Sequence, residues 1–123
     1  HELGPERMAL ERGAALLSPD ASADAIEFVR WSMRNIHVEG YAQAVRMLAE
    51  GRLIEDARKY SGAVLVMCGS KDTVTPEDGC RKVAAAFANS SYETLPGLGH
   101  ASYVESPRMV ADAIDRFFAG GKP

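Results

Sequence analysis

The stretch AVLVMCGSKD, residues 63–72, decides the fold that the sequence predicts. Its six consecutive apolar residues have the length and continuity of a strand that is buried on both faces. Such strands lie in parallel sheets, between layers of helices. The sequence therefore predicts an α/β protein in which Asp72 lies just past the carboxyl end of a central strand.

The residues after this strand predict a helix, a second strand and a last helix. Thr75 as the capping residue and Pro76 in the first position resemble a helix start, and Asn89-Ser90 should end that helix. Residues 91–95 form the second strand, a loop covers residues 96–106, and the last helix runs from Pro107 to Gly120-Gly121. A strand–helix–strand unit crosses over right-handed, so we expect the two strands to be parallel.

The first half of the chain predicts helices alone. They cover residues 5–17, a segment from Ser22 to about Asn35, residues 39–49 and residues 53–58. Apolar residues recur at helical spacing in the third of them, at Tyr41, Ala44, Val45 and Leu48. A two-strand sheet is too small to bury residues 63–68. We therefore expect the sheet to continue in residues outside this sequence or in another chain, such as a second copy in a homodimer.

Composition excludes several classes of function. The 123 residues carry a net charge of −3, too mild to indicate nucleic acid or an anionic membrane as a partner, and no apolar run is long enough to cross a membrane. Cys68 and Cys80 form no zinc-like motif, so we expect two reduced thiols, no metal and a cytoplasmic protein. Because the chain begins with His1 rather than Met, we expect it to be an internal piece of a longer protein.

Two loop residues carry the chemistry. Asp72 follows the first strand and His100 follows the second, and parallel neighbours bring their carboxyl ends to one edge of the sheet. A carboxylate that accepts a hydrogen bond from one ring nitrogen fixes the histidine tautomer, and the other nitrogen can then act as a general base. Either residue alone is more often structural, but the pair predicts a catalytic site.

The motifs GSKDTVTP (69–76) and LPGLGHASYVESP (95–107), together with the final helix, resemble the carboxyl-terminal part of the α/β-hydrolase fold. In that family the catalytic residues follow the order Ser, Asp or Glu, His. The resemblance implies that Asp72 is the acid and His100 the base. It also implies that Glu105 and Pro107 shape the loop and the start of the helix rather than take part in the chemistry.

The resemblance implies a division of the chain as well. Residues 1–60 resemble a helical cap segment, and residues 61–123 resemble the last βαβα part of the hydrolase core. The stretch EGYAQAVRML (39–48) is similar to the caps of enol-lactone hydrolases and related enzymes of aromatic breakdown. Trp31, Met33 and Tyr103 are candidate substrate contacts, with packing as the alternative for each.

No serine of the sequence lies in a G-x-S-x-G frame, so the nucleophile of such an enzyme is not among these residues. The resemblance implies a serine hydrolase of esters or lactones that needs no cofactor and is completed by an amino-terminal half. A hydrolase of C–C bonds in ring-fission products would use the same residues. A non-catalytic binding module stays open as the third reading.

Overall fold

The computed structural model describes residues 4–120, and the first half of this range is helical. The helices are α1 (Pro5–Arg12), α2 (Ala23–Arg34), α3 (Val38–Glu50) and α4 (Leu53–Ala57). A 3-10 turn over Gly13–Leu16 replaces the end of the predicted first helix. The α2 helix begins after Ser22 because the hydroxyl oxygen of this residue accepts a hydrogen bond from the N–H of Ala25.

The second half alternates strands and helices. Its elements are β1 (Val64–Gly69), α5 (Glu77–Ala86), β2 (Ser90–Leu95), α6 (Ser102–Glu105) and α7 (Pro107–Gly120). The two strands are parallel neighbours, paired from Val64 with Ser90 to Gly69 with Leu95. The α/β class and the parallel pairing are thereby confirmed, whereas the predicted stop at Gly121 lies outside the described residues.

Three local predictions were wrong. The α5 helix begins at Glu77, with Pro76 at the capping position, and the Thr75 side chain does not cap it. Ser90 belongs to β2 rather than to the end of a helix. The predicted loop over residues 96–106 contains the short helix α6. Ser90 pairs with Val64 in the sheet and the Thr75 hydroxyl contacts His100, so for these two residues contacts with distant parts of the chain outweigh the local preference.

Two small cores form within residues 4–120. The first joins α2 to the segment before it and to the start of α6; its buried members are Leu17, Ala25, Val29 and Ala101. The second lies between β2, the following loop and α7; its buried members are Leu95, Leu98 and Ala113. Burial of one such leucine contributes about 2 kcal/mol. Both cores border the loop that carries His100, so this loop has a packed support on each side.

Several apolar surfaces stay open. Four of the six β1 residues are only partly buried, although the sequence predicts burial on both faces, because the sheet has two strands within residues 4–120. Tyr41, Val45 and Leu48 of α3 are exposed, Leu48 to 75% of its surface. None of the helices in the described range is long and apolar enough to cross a membrane.

Candidate active site

The parallel register brings Asp72 and His100 together. Asp72 follows Gly69 by three residues and His100 follows Leu95 by five, and Gly69 and Leu95 are partners at the carboxyl ends of the two strands. Both loops therefore leave the same edge of the sheet. His100 Nδ1 lies 3.0 Å from Asp72 Oδ2, the distance of a hydrogen bond.

The carboxylate of Asp72 is held by its own loop. Its Oδ1 accepts hydrogen bonds from the backbone N–H groups of Val74 and Thr75, each at 2.9 Å. Burial alone would raise the pKa of Asp72, but the bonds from the Thr75 backbone, His100 and Val74 outweigh burial and lower it. Asp72 is therefore ionised at neutral pH and acts only as an acceptor.

An ionised partner determines the tautomer of His100. Because Asp72 Oδ2 can only accept, the hydrogen of a neutral His100 ring lies on Nδ1 and the lone pair lies on Nε2. The His100 side chain is 38% exposed, against 5% for Asp72. The pair thus places a buried carboxylate behind an accessible imidazole, which is the arrangement that a general base requires.

Thr75 is the functional neighbour that sequence reasoning missed. Its hydroxyl oxygen lies 3.0 Å from Asp72 Oδ2 and 3.1 Å from His100 Nδ1. The sequence carries a signal for the first contact, since an aspartate commonly bonds the backbone and side chains that follow it in a turn. It carries none for the second, which depends on the approach of the two loops.

Glu105 fastens the histidine loop to the first half of the chain. Its carboxylate accepts hydrogen bonds from the Ser18 N–H at 2.9 Å, the Gly99 N–H at 2.7 Å and the Ser18 hydroxyl. Backbone atoms come so close here that a Cβ on Gly99 would lie 2.5 Å from the Leu17 carbonyl carbon. These contacts give Glu105 the architectural role that the resemblance implies, and Pro107 begins α7 as expected.

A depression of about 490 Å³ opens beside Asp72. The turn after β1 lines one side of it through Ser70 and Lys71, and residues of the first half, including Leu17 and Ile26, line the other. Trp31, Met33 and Tyr103 are not among the residues that line it.

The three candidate substrate contacts therefore lie apart from the depression. Met33 packs against the first core, which is the packing role predicted as the alternative to a substrate contact. Trp31 and Tyr103 are 56% and 65% exposed. Neither side chain is enclosed by the described residues, so their assignment to a substrate site stays a prediction.

The thiols of Cys68 and Cys80 lie close to the Asp72–His100 pair, which we call the dyad. The Cys68 and Cys80 sulfurs are each 3.4 Å from the carbonyl oxygen of Thr75, and both cysteines are free. Burial, the adjacent Cys80 thiol and the negative charge of Asp72 raise the pKa of Cys68 to about 12. Cys68 is thus a protonated, unreactive core residue.

The parallel unit, with an acid after one strand and a histidine after the next, defines the class of the protein as an α/β-hydrolase. A sequence model described as "TAP-like protein" matches residues 42–123. The chain belongs to this TAP-like family of α/β-hydrolases.

Several proteins of known sequence or structure are similar to this chain. A protein of Mycobacterium tuberculosis named non-heme bromoperoxidase BpoC is 38% identical over 65 residues, which cover 53% of this chain and 25% of that protein. Its crystal structure superposes on all of this chain with a TM-score of 0.80 at 29% identity, covering 48% of BpoC. A thermophilic esterase from Thermogutta terrifontis gives a TM-score of 0.86 at 24% identity, over 97% of this chain and 45% of the esterase. The chain thus spans about half the length of these solved structures.

Proposed function

We propose that this chain carries the acid and the base of a serine hydrolase that cleaves carboxylic esters or lactones. The observation that carries the proposal is the 3.0 Å contact between Asp72 Oδ2 and His100 Nδ1, at the carboxyl edge of two parallel strands. The membership in an α/β-hydrolase family and the fold shared with an esterase support it.

The proposed reaction follows from the tautomer of His100. Nε2 takes the proton of a serine hydroxyl as its oxygen attacks the substrate carbonyl, and Asp72 stabilises the imidazolium that forms. His100 then gives this proton to the departing alcohol, and an acyl-enzyme remains. Water, deprotonated at Nε2, releases the acid and restores the serine.

The nucleophile of this scheme lies outside residues 1–123, because none of their serines occurs in a G-x-S-x-G frame. We propose that a nucleophile-bearing half of the hydrolase core completes the sheet at the open side of β1. The partly buried β1 residues and the exposed α3 side chains Tyr41, Val45 and Leu48 support this, since they need a covering layer. Alternatively, a second copy of this chain covers these surfaces in a homodimer. Light scattering after gel filtration distinguishes a homodimer from a complex with the nucleophile-bearing half.

Residues 1–60 are proposed to act as the cap of this enzyme, with Trp31 and Tyr103 as candidate substrate contacts. The helical character of α1 to α4 and the depression between the first half and the turn after β1 support a cap. A cytoplasmic location stays a prediction from the two free cysteines.

The name of BpoC supports a second candidate, a non-heme bromoperoxidase, because that relative is 38% identical over its matched region. Bromide-dependent halogenation of a dye in hydrogen peroxide would identify it. Cleavage of C–C bonds would use the same dyad, so only the choice of substrate separates it from ester hydrolysis.

The decisive experiment measures hydrolysis of p-nitrophenyl acetate by the polypeptide that joins this chain to the nucleophile-bearing half. His100→Ala should abolish turnover and Asp72→Asn should lower kcat by about 10²- to 10⁴-fold. His37→Ala, at the exposed residue before α3, is the control and should keep full activity. Activity that persists in His100→Ala would contradict the proposal, and activity in the 123-residue chain alone would reveal a different nucleophile.

A further inference from the structure

A closed triangle of hydrogen bonds surrounds the proposed acid and base. Asp72 Oδ2, His100 Nδ1 and the Thr75 hydroxyl oxygen are separated by 3.0, 3.0 and 3.1 Å. Three atoms at these distances share only two hydrogens, one on the hydroxyl and one on Nδ1. Their placement determines what Thr75 does in the site.

The hydroxyl hydrogen must point at Asp72. The ionised carboxylate has no hydrogen to give, so Oδ2 accepts from both of its neighbours, Thr75 and His100. The Thr75 oxygen then turns a lone pair toward Nδ1. The N–H of His100 therefore lies between two acceptors, the carboxylate and the hydroxyl oxygen.

Thr75 also contacts both oxygens of the same carboxylate. Its backbone N–H donates to Oδ1 at 2.9 Å and its hydroxyl donates to Oδ2 at 3.0 Å. Two donors from one residue fix the plane of the carboxylate, because rotation of the Asp72 side chain would break one of the two bonds. Oδ2 is thereby held toward His100.

We infer that Thr75 is a positioning residue, whose hydroxyl orients the carboxylate of Asp72 and holds the ring of His100 in its productive tautomer. The inference rests on the proposed hydrolase function but adds a residue to it. Thr75 does not contact a reacting atom: its action passes through Asp72 and Nδ1, whereas Nε2 exchanges the protons.

The test compares Thr75→Val, which keeps the shape and the backbone N–H, with Thr75→Ser, which keeps the hydroxyl, in the polypeptide joined to its nucleophile-bearing half. We expect kcat for p-nitrophenyl acetate to fall about tenfold in Thr75→Val with KM little changed, because one hydrogen bond to a charged group is lost. Thr75→Ser should recover most of this loss. Thr94→Val is the control, since the Thr94 hydroxyl bonds Glu77 and not the dyad.

A second measurement does not depend on turnover. The Nδ1 proton of His100 should give a low-field NMR signal that exchanges slowly in the wild type and in Thr75→Ser, and faster in Thr75→Val. If wild-type turnover is absent but this difference is found, the proposed function fails and the role of Thr75 in holding the ring stands. If Thr75→Val matches the wild type in kcat or in proton exchange, the inference about Thr75 is overturned while the dyad can still be catalytic. Should Thr75→Val not fold, Thr75→Ala takes its place with the same expected outcomes.

Discussion

Removal of the Glu105 carboxylate should loosen the loop that carries His100. In Glu105→Ala the backbone N–H groups of Ser18 and Gly99 lose their acceptor, and both residues are buried. An unsatisfied buried donor costs about 1–3 kcal/mol, so the two together should lower the free energy of unfolding by about 3 kcal/mol. The Ser18 hydroxyl adds little to the loss because it can turn toward water or another acceptor.

The charge of Glu105 can be separated from its shape. In Glu105→Gln the amide oxygen can accept from both N–H groups while the amide nitrogen donates to the Ser18 hydroxyl oxygen, which reverses its role. We therefore expect a loss of only about 1 kcal/mol at pH 7. Burial by itself would raise the pKa of Glu105, but the bonds from Ser18 and Gly99 outweigh it and lower the pKa.

The lowered pKa determines the sign of the pH dependence. A carboxyl whose pKa is lower in the folded state stabilises the protein above its unfolded pKa, about 4.3 for glutamate. That contribution to stability is lost as the pH falls through the pKa that the carboxyl has in the folded state. The difference in the free energy of unfolding between the wild type and Glu105→Gln should therefore be largest at pH 7 and should disappear below about pH 4.

Urea unfolding followed by far-ultraviolet circular dichroism measures both effects. With a slope of about 1.5 kcal/mol per M, Glu105→Ala should unfold at about 2 M less urea than the wild type at pH 7. Glu50→Gln, at an exposed position on α3, is the matched control and should change nothing. An unfolding midpoint of Glu105→Ala equal to that of the wild type would refute the idea that this carboxylate ties the two halves together.

Two more predictions concern the strand that precedes the acid. Cys80 should react with a thiol reagent in the native protein, whereas Cys68 should react only in denaturant, because it is buried and its pKa is raised to about 12. Mass spectrometry measures both rates, and equal rates in the native protein would show that Cys68 is accessible. Gly69→Ala should lower the unfolding temperature markedly, by several degrees or more, because a Cβ there would collide with the carbonyl oxygens of Leu98 and Gly99. Gly79→Ala, in an open position on α5, provides its control and should unfold at or above the wild-type temperature.

The sequence indicated the acid and the base without any structure. The apolar run before Gly69 predicted a buried parallel strand, and the two loops that follow consecutive strands carry Asp72 and His100. Parallel strands place such loops at one edge, so spacing along the chain was enough to predict their meeting. The 3.0 Å contact between the two side chains agrees with that reasoning.

Other features depended on residues that are far apart in the chain. Thr75 was expected to cap a helix, since a threonine before a proline commonly does, but its hydroxyl contacts His100, which lies 25 residues further along the chain. One partner of Glu105 is Ser18, 87 residues away, and no local pattern predicts this contact. The sequence by itself determined the order of the two strands and the longer helices, and with it the two loops, because these elements follow from local periodicity. The tertiary structure decided which hydroxyls and N–H groups complete the site, because a hydrogen bond forms only where folding brings a donor within about 3 Å of its acceptor.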